Sequence, residues 1–350
     1  MYLPERVFIK PQSKADPSTT EIIRRIKLLD SNIPIVQMRG KNVFYPKRSS
    51  AVWRWQQKKK NLILAHRTVP FLTTFASPGN IVERMGVILH LCWHCPSNCE
   101  FCYLQSVLPQ EHIIYTNVAD LNRQMSIEPY VHRSVLSLWT TISFIQKEEL
   151  RRIPFNFHHA ANYIRKQFIN EGVSKRIEAV DLLEELLRQK GSPIFTILRG
   201  KKGLPDIGFK AKDLKVDRKI LLRYYNENSK YLPRISAAEF TDLIAFDHLC
   251  GHSNVLMDQV ARVSDIEITV RTKSAYIDEL VAHDGNDRVT VAIGFNTSYV
   301  IEHYEQGTAS LEERLLAAQK VQAARGFRLG IVIEPVIKYP GYEKDYVDLA

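Results

Sequence analysis

Four of the five cysteines of this 350-residue chain fall in one run, Cys92-Trp-His-Cys95-Pro-Ser-Asn-Cys99-Glu-Phe-Cys102-Tyr103-Leu104-Gln105. Cys95, Cys99 and Cys102 have the spacing C-x3-C-x2-C, which lets one short loop wrap three thiolates around three irons of a cubic iron–sulfur cluster. The fourth iron is then free to chelate the amino and carboxylate groups of S-adenosylmethionine, and an electron from the cluster can cleave the sulfonium. Two other readings stay open. With Cys92 the run becomes C-x2-C-x3-C-x2-C, and four thiolates can bind a structural zinc, although zinc-knuckle pairs usually have a longer connection. A ferredoxin-type cluster with every iron ligated would draw its last ligand from far away in sequence. Ahead of the run, Gly86-Val-Ile-Leu-His-Leu91 reads as a short buried strand. The C-terminal end of a barrel strand is where α/β barrels place their chemistry.

At 45% hydrophobic residues the chain can bury one large core or two moderate ones. It contains no apolar run of eighteen residues, and the N-terminus MYLPERVFIK has no signal-peptide hydrophobic region. These features predict a soluble, cytoplasmic protein with no membrane partner. Clustered cysteines in a chain this long argue for a metal site in a reducing compartment, not a disulfide framework. The net charge of +10 is uneven: +11 over residues 1–80, +7 over 106–232 and −8 over the remainder. That asymmetry points to a polyanionic partner.

Residues 1–80 form a basic N-terminal segment with strand-like pieces at Arg6–Lys10 and Asn32–Gln37 and a helical stretch around Thr20–Leu29. In it, Ala51-Val-Trp53-Arg54-Trp55-Gln-Gln-Lys58-Lys59-Lys60 interleaves aromatics that can stack on bases with cations that can meet phosphates. The alternative is a solvated charge run beside two core tryptophans. Residues 81–124 hold the first barrel strand and the cysteine loop. Residues 125–230 read as an inserted, mainly helical subdomain, with Val135–Phe144, Ala160–Phe168 and Val173–Leu187 as helices and a basic stretch from Lys201 to Lys219. The adjacent His158 and His159 point to different faces of a helix and read as a surface pair. Residues 231–350 alternate strands (Ile235–Phe240, Ile266–Thr272, Val289–Phe295, Leu329–Ile337) with helices (Ser253–Val263, Ala275–His283, Leu311–Arg325). Such alternation implies a parallel sheet with right-handed crossovers, and the expected fold class is α/β, a partial, open (β/α) barrel.

The run CPSNCEFCYLQ resembles the cluster loop of the spore photoproduct lyase family, the DNA-repair branch of the radical S-adenosylmethionine superfamily, and the ending Cys-Tyr-Leu-Gln is more specific than the cysteine spacing. The resemblance covers about 1–120 and 231–350. It implies a 4Fe-4S cluster on Cys95, Cys99 and Cys102, S-adenosylmethionine as cofactor, a DNA substrate, and an electron donor such as flavodoxin or ferredoxin. Thr241 matches a cofactor-binding serine of the family. Lys273 matches a lysine that contacts the cofactor carboxylate. Tyr103 matches one of the tyrosines near the cluster that serve radical transfer, whereas Phe101 replaces another and Gly294 replaces a second cofactor-contacting serine.

The segment Ala237-Ala238-Glu239 through Asp247-His248-Leu249, read as closing the second barrel strand, departs further. Where the family carries its hydrogen-donor cysteine this chain has Glu239, whose carboxyl O–H bond is too strong for that role. Glu239 then reads as a cofactor-binding carboxylate on the ammonium, as a catalytic group for other chemistry, or as the mark of a degenerate site. Cys250 reads as a small buried residue or a displaced donor, Cys92 as a strand residue facing the core, and His248 as an orienting group. The family continues beyond the point matching Ala350 with a sixth strand and a basic tail, so either the sequence is incomplete or the product is naturally short. Three functions follow: a radical enzyme acting on nucleic acid, including photolesion repair; a radical enzyme on a peptide or metabolite; or a non-catalytic iron–sulfur DNA-binding protein.

Overall fold

The computed structural model describes residues 2–40, 43, 50–74, 86–104, 111–122, 124–125, 234–237, 239–264 and 266–350. The insert expected over 125–230, with its helices, its basic stretch and His158–His159, lies outside the described residues apart from Met125. By its contacts the chain divides into two units, one made of residues 1–71, 88–122 and 235–350, the other of 72–87 and 123–234. Among the described residues, the second unit contributes β4 (Leu72–Thr74).

In the first unit, β1 (Arg6–Ile9) lies parallel to β2 (Ile35–Gln37) and to β3 (Asn61–Ala65). The crossover from β1 to β2 carries α1 (Pro17–Leu29), in which Pro17 opens the first turn and Ile22 and Ile26, four apart, are fully buried. Helix α2 (Ala51–Lys60), capped by the Ser50 hydroxyl on the Trp53 amide at 3.1 Å, runs directly into β3, all of whose residues are buried. The sheet continues through β8 (His112–Tyr115) to β6 (Cys92–Trp93), which pairs antiparallel with β8.

A second sheet runs in the order β13 (Phe327–Ile333), β11 (Val289–Phe295), β10 (Glu267–Thr272), β9 (Arg234–Ser236), β5 (Gly86–Leu89). β10, β11 and β13 are mutually parallel, with registers Ile268↔Val289 and Val289↔Phe327. Helices α3 (Ile244–Cys250) and α4 (His252–Arg262) follow β9; α5 (Asp278–Val281) follows β10; α6 (Ser298–Tyr304) and α7 (Leu311–Ala323) follow β11; α8 (Tyr342–Leu349) ends the chain. A capping box between Ser310 and Glu313 starts α7. This is a mixed α/β architecture of parallel strands and crossover helices, in an open sheet. Among the described residues no helix is long and apolar enough to cross a membrane.

β11 has the expected bounds, and β10, α4 and α7 lie within two residues of them. Three expectations need correcting. The strand read as Ile235–Phe240 stops at Ser236, and Asp247-His248-Leu249 lies in helix α3 instead of closing a strand. Nearly every residue of α3 is buried, so the segment shows no polar face from which a 3.6-residue period could be read. The helix read over Ala275–His283 contracts to the four residues of α5, and the strand read as Leu329–Ile337 shifts to Phe327–Ile333, ahead of Glu334-Pro335, where proline lacks a ladder donor. β3 and β8 were not anticipated as strands.

Candidate iron–sulfur site

The cysteine loop leaves the buried strand β5, passes β6 and turns at His94, whose φ of 66° is left-handed and unusual for a residue with a side chain. The turn is held from several sides. The Thr241 hydroxyl donates to the His94 carbonyl at 2.8 Å, and the fully buried His94 ring approaches the Leu104 carbonyl through Nε2 at 3.3 Å. From α2, the Lys59 ammonium donates to the carbonyls of Cys95 (3.0 Å) and Ser97 (3.3 Å) and sits 3.3 Å from His94 Nδ1. His112 of β8 also points Nε2 at the Cys95 carbonyl, at 3.1 Å, while its Nδ1 accepts from the Tyr2 hydroxyl at 2.9 Å.

Beyond the turn, β7 (Asn98–Cys99) pairs antiparallel with β12 (Glu305–Gln306), setting Cys99 opposite Glu305. Cys99 is buried, Cys95 and Cys102 half-buried, and all are free thiols. Burial first, then Asp242, pushes the Cys95 thiol up to about 12; burial pushes Cys99 to about 11, against the opposing charge of Lys273. Burial lowers Lys59 to about 8, an effect opposed by its nearness to Cys95, Cys102 and Cys99. One buried cation therefore sits beside three thiols that must lose protons to bind metal. A single tetrahedral zinc would draw its sulfurs to about 3.8 Å apart. Among the described residues the group gathered within 4.8 Å is not these three but Cys92, Cys250 and His252. Three free thiols on one short loop, with a buried cation beside them, form a donor set that fits an iron–sulfur cluster.

The remaining expected site residues converge on this loop from the ends of β9 and β10. The Tyr103 hydroxyl, half exposed, donates to the Glu239 backbone carbonyl at 3.2 Å, and the Glu239 carboxylate accepts from the Ser236 hydroxyl at 3.0 Å. Lys273 follows β10 and donates to Glu305 at 2.7 Å while crossing the Phe101 ring at 4.7 Å. Gly294 is explained by the same side chain: a Cβ there would meet Lys273 Cγ at 3.0 Å and Cε at 3.1 Å. A serine at that position would press on the lysine stem. A cleft of about 270 Å³ beside the loop is lined by Pro96, Ser97, Lys273, Ser274, Gly307 and Thr308, among others.

Several residues that hold the site went unread in the sequence. Asp242, buried, accepts from the Thr272 hydroxyl at 2.8 Å and the amides of Lys273 (2.9 Å) and Ala245 (3.1 Å), fixing the end of β10. Glu305, 1% exposed, bridges Lys273 and the fully buried Arg314, each at 2.7 Å. Arg314 also reaches the carbonyls of Gly294 (2.7 Å) and Ala309 (2.9 Å) and the Thr308 hydroxyl (2.6 Å). Lys59 had been grouped with Lys58 and Lys60 as a nucleic-acid contact or solvated charge; at 7% exposure it is neither. Consecutive helical residues are turned by about 100°, so in a Lys-Lys-Lys run one member faces inward. Cys250 is buried at the end of α3, and His248 donates through Nε2 to the Tyr2 carbonyl at 2.7 Å.

Residues 218–350 match the family model described as spore photoproduct lyase. A spore photoproduct lyase of Geobacillus sp. is 31% identical over 127 residues, which is 36% of this chain and 37% of that protein. One of Bacillus subtilis is 27% identical over 124 residues, 35% of this chain and 36% of the other. The alignments thus span little more than a third of these relatives' own lengths. Among solved structures, a spore photoproduct lyase complexed with dinucleoside spore photoproduct shares the fold at a TM-score of 0.60 and 19% identity, covering 99% of this chain and 72% of that one. A variant with bound AdoMet and the same dinucleoside aligns with a TM-score of 0.61, also at 19% identity. Over residues 218–350 the chain is similar in sequence to spore photoproduct lyases, and it shares the fold of their solved structures.

Proposed function

We propose that the chain is a radical S-adenosylmethionine enzyme of the spore photoproduct lyase type that acts on nucleic acid. The observation that carries this reading is the C-x3-C-x2-C loop, anchored at its first cysteine by Lys59 and His112 and at Cys99 by pairing with β12. When bound, a 4Fe-4S cluster and S-adenosylmethionine would supply radical chemistry through reductive cleavage of the sulfonium to 5′-deoxyadenosyl. Cys95, Cys99 and Cys102 would hold the cluster. Lys59 offsets part of its negative charge and ties down two loop carbonyls. Lys273 would offer its ammonium to the cofactor carboxylate, exchanging Glu305 for it or bridging both. Thr241 has its proton committed to His94, so toward a cofactor its oxygen acts as an acceptor.

Glu239 favours the cofactor-binding role over hydrogen donation: a carboxylate held by Ser236 can accept from an ammonium but cannot quench a carbon radical. Hydrogen return, if it occurs, must use another group, and Tyr103, touching the Glu239 backbone, is the nearest phenol described. Free thiols suit a reducing cytoplasm, with a flavodoxin or ferredoxin as electron donor. The basic N-terminal segment supplies the DNA-facing charge.

The test is anaerobic reconstitution with iron and sulfide, reduction in the presence of S-adenosylmethionine, and chromatography of 5′-deoxyadenosine with and without ultraviolet-damaged spore-type DNA. Formation stimulated by damaged DNA supports the proposal. Formation indifferent to DNA moves the substrate to a peptide or metabolite. A loaded cluster that yields no 5′-deoxyadenosine overturns the enzymatic reading.

A further inference from the structure

Away from the cluster loop's three thiols, Cys92, Cys250 and His252 bring two sulfurs and a ring nitrogen within 4.8 Å of one another. Three separate elements deliver them. Cys92 lies on β6, fixed opposite Ile114 of β8. Cys250 is the last residue of α3 and His252 the first of α4. Between them Gly251 adopts φ 60°, a left-handed conformation that glycine takes without strain, and this turn joins the two helices. The group is deeply buried: Cys92 and His252 are each 1% exposed and Cys250 7%.

The imidazole is held as a ligand is held. Nε2 lies 2.9 Å from the Tyr115 carbonyl and must carry the proton to bond it, which leaves Nδ1 with a lone pair. That buried Nδ1 has no partner at full hydrogen-bond geometry, and what faces it is the Cys250 thiol, with which the ring interacts. A metal-ligating histidine characteristically donates its other N–H to a backbone carbonyl or carboxylate, which fixes the tautomer and orients the ring. A thiol S–H is only a weak donor to that lone pair, whereas a metal ion would engage the nitrogen and both sulfurs at once.

We infer that Cys92, Cys250 and His252 form a buried Cys2His site for one zinc ion, distinct from the cluster loop. The charge balance selects the ion: two thiolates and a neutral imidazole around a divalent cation sum to zero, which suits a core position where net charge is expensive. Thiolate donors select a soft or borderline metal over magnesium or calcium. Three protein ligands leave a fourth tetrahedral position to water or a small anion. Cys92 precedes Cys95 by three residues, so the ion pins the root of the cluster loop to the α3–α4 turn.

The cluster thiols can themselves take up zinc, so the test uses the full-length chain carrying Cys95→Ala, Cys99→Ala and Cys102→Ala. That chain is equilibrated anaerobically with zinc alone, desalted and assayed for metal by mass spectrometry. About one zinc per chain is expected, falling to below about a tenth when Cys250→Ser or His252→Asn is added. Cobalt in place of zinc should give a thiolate-to-metal charge-transfer band that the same changes remove. No retained zinc in the parent overturns the inference, as does zinc that survives both added changes, or a Cys92–Cys250 disulfide found under reducing conditions. Should the added changes unfold the chain, the parent alone decides: chelation must lower its thermal midpoint and zinc alone restore it, and an unmoved midpoint refutes the site.

Discussion

Replacing Glu305 with Ala should destabilise the first unit far more than replacing its exposed partner. Glu305 is 1% exposed and its carboxylate accepts from Arg314 and Lys273, both at 2.7 Å. Arg314 has no exposed surface, whereas the Lys273 side chain keeps 22%. With Glu305 gone, the Arg314 charge stays in the core without a counter-ion, a situation that costs about 3–5 kcal/mol. Arg314→Met should cost a similar amount, because it leaves three oxygen acceptors and most of a buried carboxylate's charge unsatisfied. Lys273→Met leaves the Glu305–Arg314 pair intact and removes a partly hydrated ammonium, so it should cost no more than about 1 kcal/mol. Domain stabilities run to about 5–15 kcal/mol, so the first two changes consume a large share and the third does not. Urea denaturation followed by circular dichroism on the full chain measures all three. An Ala variant within about 1 kcal/mol of the parent, or a Lys273 variant as damaged as the Arg314 one, would refute the reasoning.

Lys59→Met, which removes the ammonium from the Cys95 and Ser97 carbonyls, should cost the loop about 1.5–3 kcal/mol and reduce iron and sulfide retention at least tenfold; retention equal to that of a Lys58→Met control would sink the anchoring role. Reversing Lys58 and Lys60 to Glu while sparing Lys59 tests DNA contact by α2: the two are already paired with Glu111 (3.2 Å) and Glu5 (2.7 Å), so the log–log salt slope of DNA binding should change by no more than about 2. An unchanged slope removes α2 from the DNA interface. Burial, with Arg67 adding to it, holds His90 down at about 4 in the folded chain, below its ordinary 6.5. Between those values the unfolded chain binds the extra proton, so stability rises with pH across the window and is lost as the solution is acidified. His90→Gln should remove on the order of 2 kcal/mol of the stability difference between about pH 7 and 4.5. An undiminished difference would show that His90 does not carry it.

The sequence alone determined the features that depend on neighbours along the chain. The cysteine spacing marked the loop, the largely apolar stretch Val289–Phe295 marked β11, and the strand–helix alternation placed α7 at Leu311. Each is a pattern of a few residues whose period equals that of the backbone it builds. What tertiary structure decided joins residues that no local period connects. Lys59 reads as one of three identical cations until the fold sets one of them 3.0 Å from a carbonyl 36 residues away. Glu305 and Arg314 lie nine residues apart on a strand and a helix, and only burial makes each the other's counter-ion. Lys273 was assigned a carboxylate, and the fold supplies one from its own chain. Cys92 and Cys250 read as unrelated small residues until β6 and the α3–α4 turn bring them to one histidine. Charge, thiol and imidazole chemistry depends on distance and dielectric, which are properties of the packed chain.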